Sequence, residues 1–165
     1  MKKIGRTIKR RRHEYKTDYN ARVYLLSSEK PRIVVRRTNR YIFAQLVSSE
    51  KAQDRIVVGV SSGELVALGW PASLEGSLKS IPAAYLTGLL FARKAKAHAS
   101  EAILDIGMQR SASRGRLYAF LAGVVAGGIH VPHNKSALPD EARLIANTKT
   151  REAFIKLKEK LAAHG

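Results

Sequence analysis

Cysteine is absent from the 165 residues, which removes disulfides, thiolate zinc sites, iron–sulfur clusters and cysteine nucleophiles. No apolar run approaches the roughly 18 to 20 residues a membrane helix needs. The N-terminal lysines are not followed by the apolar stretch of a secretory signal. Acid is the other scarcity: 13 Asp and Glu stand against 30 Lys and Arg, for a formal net charge of +17. What is present in ordinary amount is apolar side chain, 45% of the total, enough for a real core and too much for wholesale disorder. The length suits one domain with an extension or two.

The charge is polarised. Residues 1–40 hold 14 basic and 3 acidic side chains, residues 41–106 hold 6 of each, and residues 107–165 hold 10 and 4. A field concentrated this way attracts polyanions, of which nucleic acid is the commonest. A membrane surface would ask for an apolar face beside the basic one, and Lys2–Lys16 offers only Ile4, Ile8 and Tyr15. That segment carries eight Lys or Arg and one acid, Glu14, so it is expected to be extended or disordered when free and ordered on a polyanion.

From Asp18 onward Ala21, Tyr24 and Leu25 recur at helical spacing, with Thr17 or Asp18 as N-cap, predicting a short helix that ends before Pro31. Ile33-Val34-Val35, a two-residue turn at Thr38-Asn39, and Tyr41–Val47 predict a hairpin. A polar turn at Ser48–Lys51 leads to Ile56–Val60 and completes an antiparallel meander of three strands. Ser61–Ser80 reads as a loop with one helical turn at most. Pro82 opens a helix over Ala83–Ala99, and Ala102–Ile106 reads as a buried strand. Leu117, Phe120, Leu121, Val124 and Val125 mark an amphipathic helix stopped by Gly127-Gly128. The fold class expected is α/β: a mixed sheet, the meander plus a further strand, packed by helices. Thr148–Ala163 reads as a separate helix whose stripe of Phe154, Leu157 and Leu161 is too narrow for a core element, so it is expected to dock on a partner or on the body. The domain reading is a basic arm and short helix over 1–29, an α/β core over 30–131 and a helical tail over 132–165.

Catalytic constellations are weak. His130 and His133 have metal-ligand spacing, but Pro132 between them prevents a helix and no further ligand lies close in sequence. The sharper rival is a metal-dependent RNA nuclease of the ribonuclease H type, which would gather Asp54, Glu64 and Asp105 on the sheet. Six acids spread over residues 41–106 make a poor metal cage, and an Asp at a strand–loop junction such as Asp105 more often caps a turn or pairs with an arginine such as Arg110.

RNA binding is better served. Arg32, Arg36, Arg37 and Arg40 crowd one hairpin around Thr38, Asn39 and Tyr41, and the strand period puts Arg32, Val34 and Arg36 on one face. Arginine forks suit phosphate, tyrosines stack on unpaired bases, and Asn reads a base edge or a 2′-hydroxyl. Arg110, Arg114 and Arg116 form a second basic set in a Gly/Ser-rich loop. Tyr15 and Tyr19 interleave aromatics with the charge of the arm.

The segments Lys9–Arg12, Lys16–Tyr19, Lys30–Arg36 and Thr38–Gln45 together resemble large-subunit ribosomal protein eighteen, the universal 5S-rRNA-binding family. Pro82–Leu90, Leu104–Gly107 and Ile129–His133 resemble its archaeal and eukaryotic branch. The resemblance covers about residues 6–146. It implies a structural, non-enzymatic protein of the cytoplasmic ribosome, bound to 5S rRNA in the central protuberance, touching 23S-type rRNA and neighbouring large-subunit proteins. No cofactor, membrane or small-molecule substrate is implied. The candidate RNA contacts are then Arg6, Lys9, Arg10, Arg11, Arg12, Tyr15, Lys16, Thr17, Tyr19 and Arg22 in the arm and first helix. To these the hairpin adds Arg32, Arg36, Arg37, Thr38, Asn39, Arg40 and Tyr41, and the later loop adds Arg110, Arg114 and Arg116.

Overall fold

The computed structural model describes residues 8–163 apart from Ala52. Its sheet follows the meander. Strand β1 (Arg32–Arg37) pairs antiparallel with β2 (Ile42–Glu50), from Arg32 opposite Val47 to Arg37 opposite Ile42. The connection is the four residues Thr38–Tyr41, longer than the two-residue turn expected at Thr38-Asn39. The Thr38 hydroxyl accepts from the Tyr41 amide at 3.0 Å and donates to the Tyr41 carbonyl at 2.9 Å, so the side chain itself closes the loop. Strand β3 (Gln53–Ser61) pairs antiparallel with β2, and the polar Ser48–Glu50 continue the ladder where a turn was expected. Strand β4 (Ile103–Asp105) lies parallel to β1, giving the order β3-β2-β1-β4. The fourth strand was read as buried. It is a short edge strand instead, with Ile103 and Leu104 only half-buried.

The N-terminal segment is not wholly extended: α1 (Arg10–His13) makes one turn. Helix α2 (Tyr19–Ser27) starts on Asp18, whose carboxylate accepts from the amides of Asn20 and Ala21. Its expected apolar face is only partly covered: no residue of α2 is fully buried, Leu25 is half-buried, and Val23 and Tyr24 are exposed. The Ser61–Ser80 stretch is more structured than a loop. Helix α3 (Glu64–Leu68) and a 3-10 segment over Ala72–Ser77 surround the buried Leu65, Trp70 and Leu78, and the indole N–H of Trp70 donates to the Leu74 carbonyl at 3.1 Å.

Helix α4 (Ile81–Ala95) is the hub, capped by Ser80 and ending short of Ala99; it packs on β2, β3 and helix α5 (Arg116–Ala126). The two helices cross through reciprocal glycines. A Cβ on Gly88 would stand 2.1 Å from the Phe120 carbonyl oxygen, and one on Gly123 would stand 2.1 Å from that of Tyr85. Side chains alternating along the sheet (Ile33, Val35, Ile42, Ala44, Leu46 and Val60) join Leu86, Phe91, Phe120 and Val124 in one core. Helix α6 (Glu141–Leu144) leads to α7 (Thr148–Ala163). The stripe judged too narrow for a core helix is buried after all: Phe154, Leu157 and Leu161 pack into the same core, with the Phe154 ring 5.7 Å from that of Tyr85 on α4. Leu144 of α6 and Ala153 widen the contact beyond the three residues the stripe displays.

Candidate nucleic-acid interface

The outer face of the sheet carries the charge, because the strand period that sends Ile33 and Val35 into the core sends Arg32, Val34 and Arg36 the other way. Parallel pairing then sets Val34 opposite Asp105. Asp105 thus lies between the two arginines: its Oδ2 accepts from Arg32 at 3.0 Å and its Oδ1 from Arg36 at 3.2 Å and from the Gly107 amide at 2.8 Å. Arg36 also donates to the carbonyls of Val35 and Asp105, both at 2.8 Å, which lays its guanidinium against Gly107. Gly107 has φ +60, and a Cβ there would meet the Arg36 Cζ at 2.9 Å, so a side chain would be strained and would displace the guanidinium. On its other side Arg32 donates to Asp54 Oδ1 at 2.7 Å and to the Ser49 hydroxyl at 3.0 Å; Asp54 Oδ2 accepts from Arg22 of α2 at 2.9 Å. Burial pushes the Asp54 carboxyl upward, but hydrogen bonds from Ser49, Arg22 and Arg32 outweigh it and hold the group below its ordinary range.

Arg32 is therefore a correction. Expected among the exposed RNA contacts, it is 2% exposed and spends its fork on two carboxylates. The same geometry removes the nuclease arrangement, since an arginine occupies the space between Asp54 and Asp105. Glu64 is engaged elsewhere, by Lys94. His133 Nδ1 lies 2.6 Å from the Val131 carbonyl, while His130 stands beside Glu101.

The described part of the arm lies over this face. Arg11, Lys16 and Arg22 line, with Arg36, a groove of about 480 Å³ whose floor includes Leu25, Leu104 and Ile106. The two carboxylates lining it, Asp18 and Asp105, are committed to a helix cap and to arginines. Arg11 Nε donates to Thr17 Oγ1 at 2.9 Å, Lys9 sits 4.3 Å over the Tyr19 ring, and Arg10, Arg12 and Tyr15 are exposed. Arg6 lies outside the described residues.

A second cleft, about 210 Å³, is lined by Arg37, Arg110 and Arg116, with Ile81 and Leu117. The residue that assembles it is Gln109, which the sequence reading missed. Its side chain accepts from the Arg37 amide at 2.9 Å and donates to the Val35 carbonyl at 2.8 Å, standing in for a further strand residue beside β1. That places Arg110 next to Arg37. Arg116 opens α5, whose N-cap Gly115 supplies no side-chain cap and whose first turn holds no acid. Arg114 departs from the set: its guanidinium lies 3.4 Å from Asp140 and its carbonyl accepts from Arg143. At the hairpin tip Thr38 is spent on the loop, the Asn39 carbonyl accepts from Lys79 at 2.7 Å, and Tyr41 donates to Glu75 at 3.3 Å. Arg40, with its side chain 74% exposed, reaches only within 3.6 Å of Glu75.

Comparison with known proteins points to one family. The family model described as "Ribosomal large subunit proteins 60S L5, and 50S L18" matches residues 5–100. The large ribosomal subunit protein uL18 of Methanoculleus marisnigri is 54% identical over 136 residues, covering 82% of this chain and 75% of its own. That of Korarchaeum cryptofilum is 52% identical, covering 82% and 68%. That of Methanococcoides burtonii is 40% identical over 163 residues, covering 93% and 92%.

Proposed function

This chain belongs to the uL18 family of large-subunit ribosomal proteins, and from that premise we propose that it binds 5S rRNA and helps attach it to the large subunit in the central protuberance. Family membership makes it a structural, RNA-binding component of the cytoplasmic ribosome, with rRNA and other ribosomal proteins as partners. In the finer reading, 23S-type rRNA and neighbouring large-subunit proteins take the surfaces that 5S rRNA leaves. The observation that supports it is a pair of cationic clefts that draw on neighbouring residues of β1: Arg11, Lys16, Arg22 and Arg36 line one, Arg37, Arg110 and Arg116 the other. Cations drawn from three separate chain segments suit a folded RNA, whose phosphates follow a curved path.

The test is binding of a 5S rRNA transcript against an unrelated RNA of equal length, with Arg37→Ala/Arg110→Ala beside the unmodified protein. The cognate transcript should win. The double variant should weaken binding, since charge-assisted contacts are worth about 1.5–3 kcal/mol each. It should also lower the slope of log affinity against log salt by about one to two. Stability should change by no more than roughly 0.5 kcal/mol per site, because both side chains are exposed. Equal affinity for both RNAs, or normal binding by the double variant, would overturn the reading.

A further inference from the structure

Five charged side chains alternate across the outer face of the sheet: Arg22, Asp54, Arg32, Asp105, Arg36. The central one is buried and the terminal ones are partly open, their side chains 35% exposed for Arg22 and 43% for Arg36. We propose that Arg32 is a positioning residue: without touching RNA, it fixes Arg22 and Arg36 through the two carboxylates, and with Arg22 it fixes helix α2 against the sheet. The proposal rests on the RNA-binding reading and assigns a role within that surface.

The chemistry requires an arginine at the centre. Its two terminal nitrogens point to different carboxylates, at 2.7 Å and 3.0 Å, and a lysine ammonium, a single point charge, lacks the planar fork that sets two donors apart toward both. The arrangement is built at a cost, since Arg32 Nε is buried with no hydrogen-bond partner. Helix α2 depends on it because none of its own residues is fully buried. Among the described residues, Arg22 to Asp54 is the one hydrogen bond or ion pair joining α2 to the sheet. At the other end Asp105 receives Arg36, whose two backbone acceptors complete a fixed guanidinium. Arginines held in place before binding give up less freedom when phosphate arrives.

Two variants of the full chain test this. Asp54→Asn cuts the relay at its partly exposed carboxylate, leaving Arg32 paired with Asp105. Removing a negative charge should by Coulomb's law tighten binding to a polyanion. Positioning predicts the opposite sign, a loss of about 3- to 30-fold in affinity for a 5S rRNA transcript. Arg32→Lys keeps the charge and should lose affinity over the same range. In an Arg22→Ala/Arg36→Ala background it should add less than about twofold, because nothing remains for it to position. Without RNA, amide hydrogen exchange over residues 19–27 should quicken in both variants. Tighter or equal binding by Asp54→Asn, an undiminished Arg32→Lys effect in that background, or unchanged exchange of α2 would overturn the proposal. Failure of the unmodified chain to bind the transcript would sink the 5S reading instead, and the exchange measurement would still decide the relay.

Discussion

Glu64 accepts from the Ser61 amide at 2.9 Å and from the Lys94 ammonium at 2.6 Å. Burial pushes its carboxyl up, but those two donors outweigh it and leave the group below its ordinary 4.5. A carboxyl depressed on folding contributes stability that is present above its unfolded value and lost as pH falls through the folded one. Glu64→Gln should therefore cost about 0.2–1 kcal/mol at pH 7, the modest range of a half-exposed pair. The gap should narrow as pH falls below 4.5 and the carboxylate takes up its proton. Urea melts at pH 7 and at acid pH check this, and a gap that does not narrow would refute the assignment. Arg32 shows what single residues reveal in a sequence and what they hide. The period of two puts Arg32 and Arg36 on a common face, and so they are. What they face is set by Asp105, which arrives from far along the chain through a parallel pairing that no local pattern encodes. Gln109 escaped for a related reason: an amide side chain that substitutes for a strand residue leaves no periodic mark.

Among elements, the crossing of α4 and α5 is the tightest contact. Gly123→Ala would drive a methyl to 2.1 Å from the Tyr85 carbonyl oxygen, and backbone cannot yield as a side-chain tip does. The expected cost is about 3 kcal/mol, near the top of the overpacking range, or roughly 6 °C or more in melting temperature. Gly59→Ala is the matched control, since a Cβ there meets nothing within 4 Å. It should be neutral or stabilising by up to roughly 1 kcal/mol, through the restricted unfolded chain. Calorimetry on both variants checks the pair, and equal melting temperatures would refute the crossing. The meander, α4 and α5 were legible because their apolar periods are strong. The extra length of the hairpin loop was not, being fixed by one hydroxyl of Thr38. The burial of α7 was hidden because a narrow stripe completes a core when its neighbour is as broad as α4, and breadth belongs to the partner.

At the scale of the whole molecule, the charge is carried by parts the core does not use. Residues 8–16 are exposed throughout, and none contributes to the apolar cluster. Deleting residues 1–16 removes eight basic side chains and one acid, which takes the net charge from +17 to +10. The truncated chain should still unfold cooperatively, because the sheet and α4, α5 and α7 remain whole. Its RNA binding should lose affinity and salt sensitivity together. Each phosphate contact adds roughly 0.7–0.9 to the salt slope, so losing about four to six contacts lowers it by about three to five. Preference for 5S rRNA over an unrelated RNA should survive in part, since the cleft of Arg37, Arg110 and Arg116 is built by β1, Gln109 and α5, without the arm. A salt titration of both chains against the two RNAs separates these effects. An unchanged slope would make the arm a solubilising extension; complete loss of preference would move the reading of sequence from the cleft to the arm.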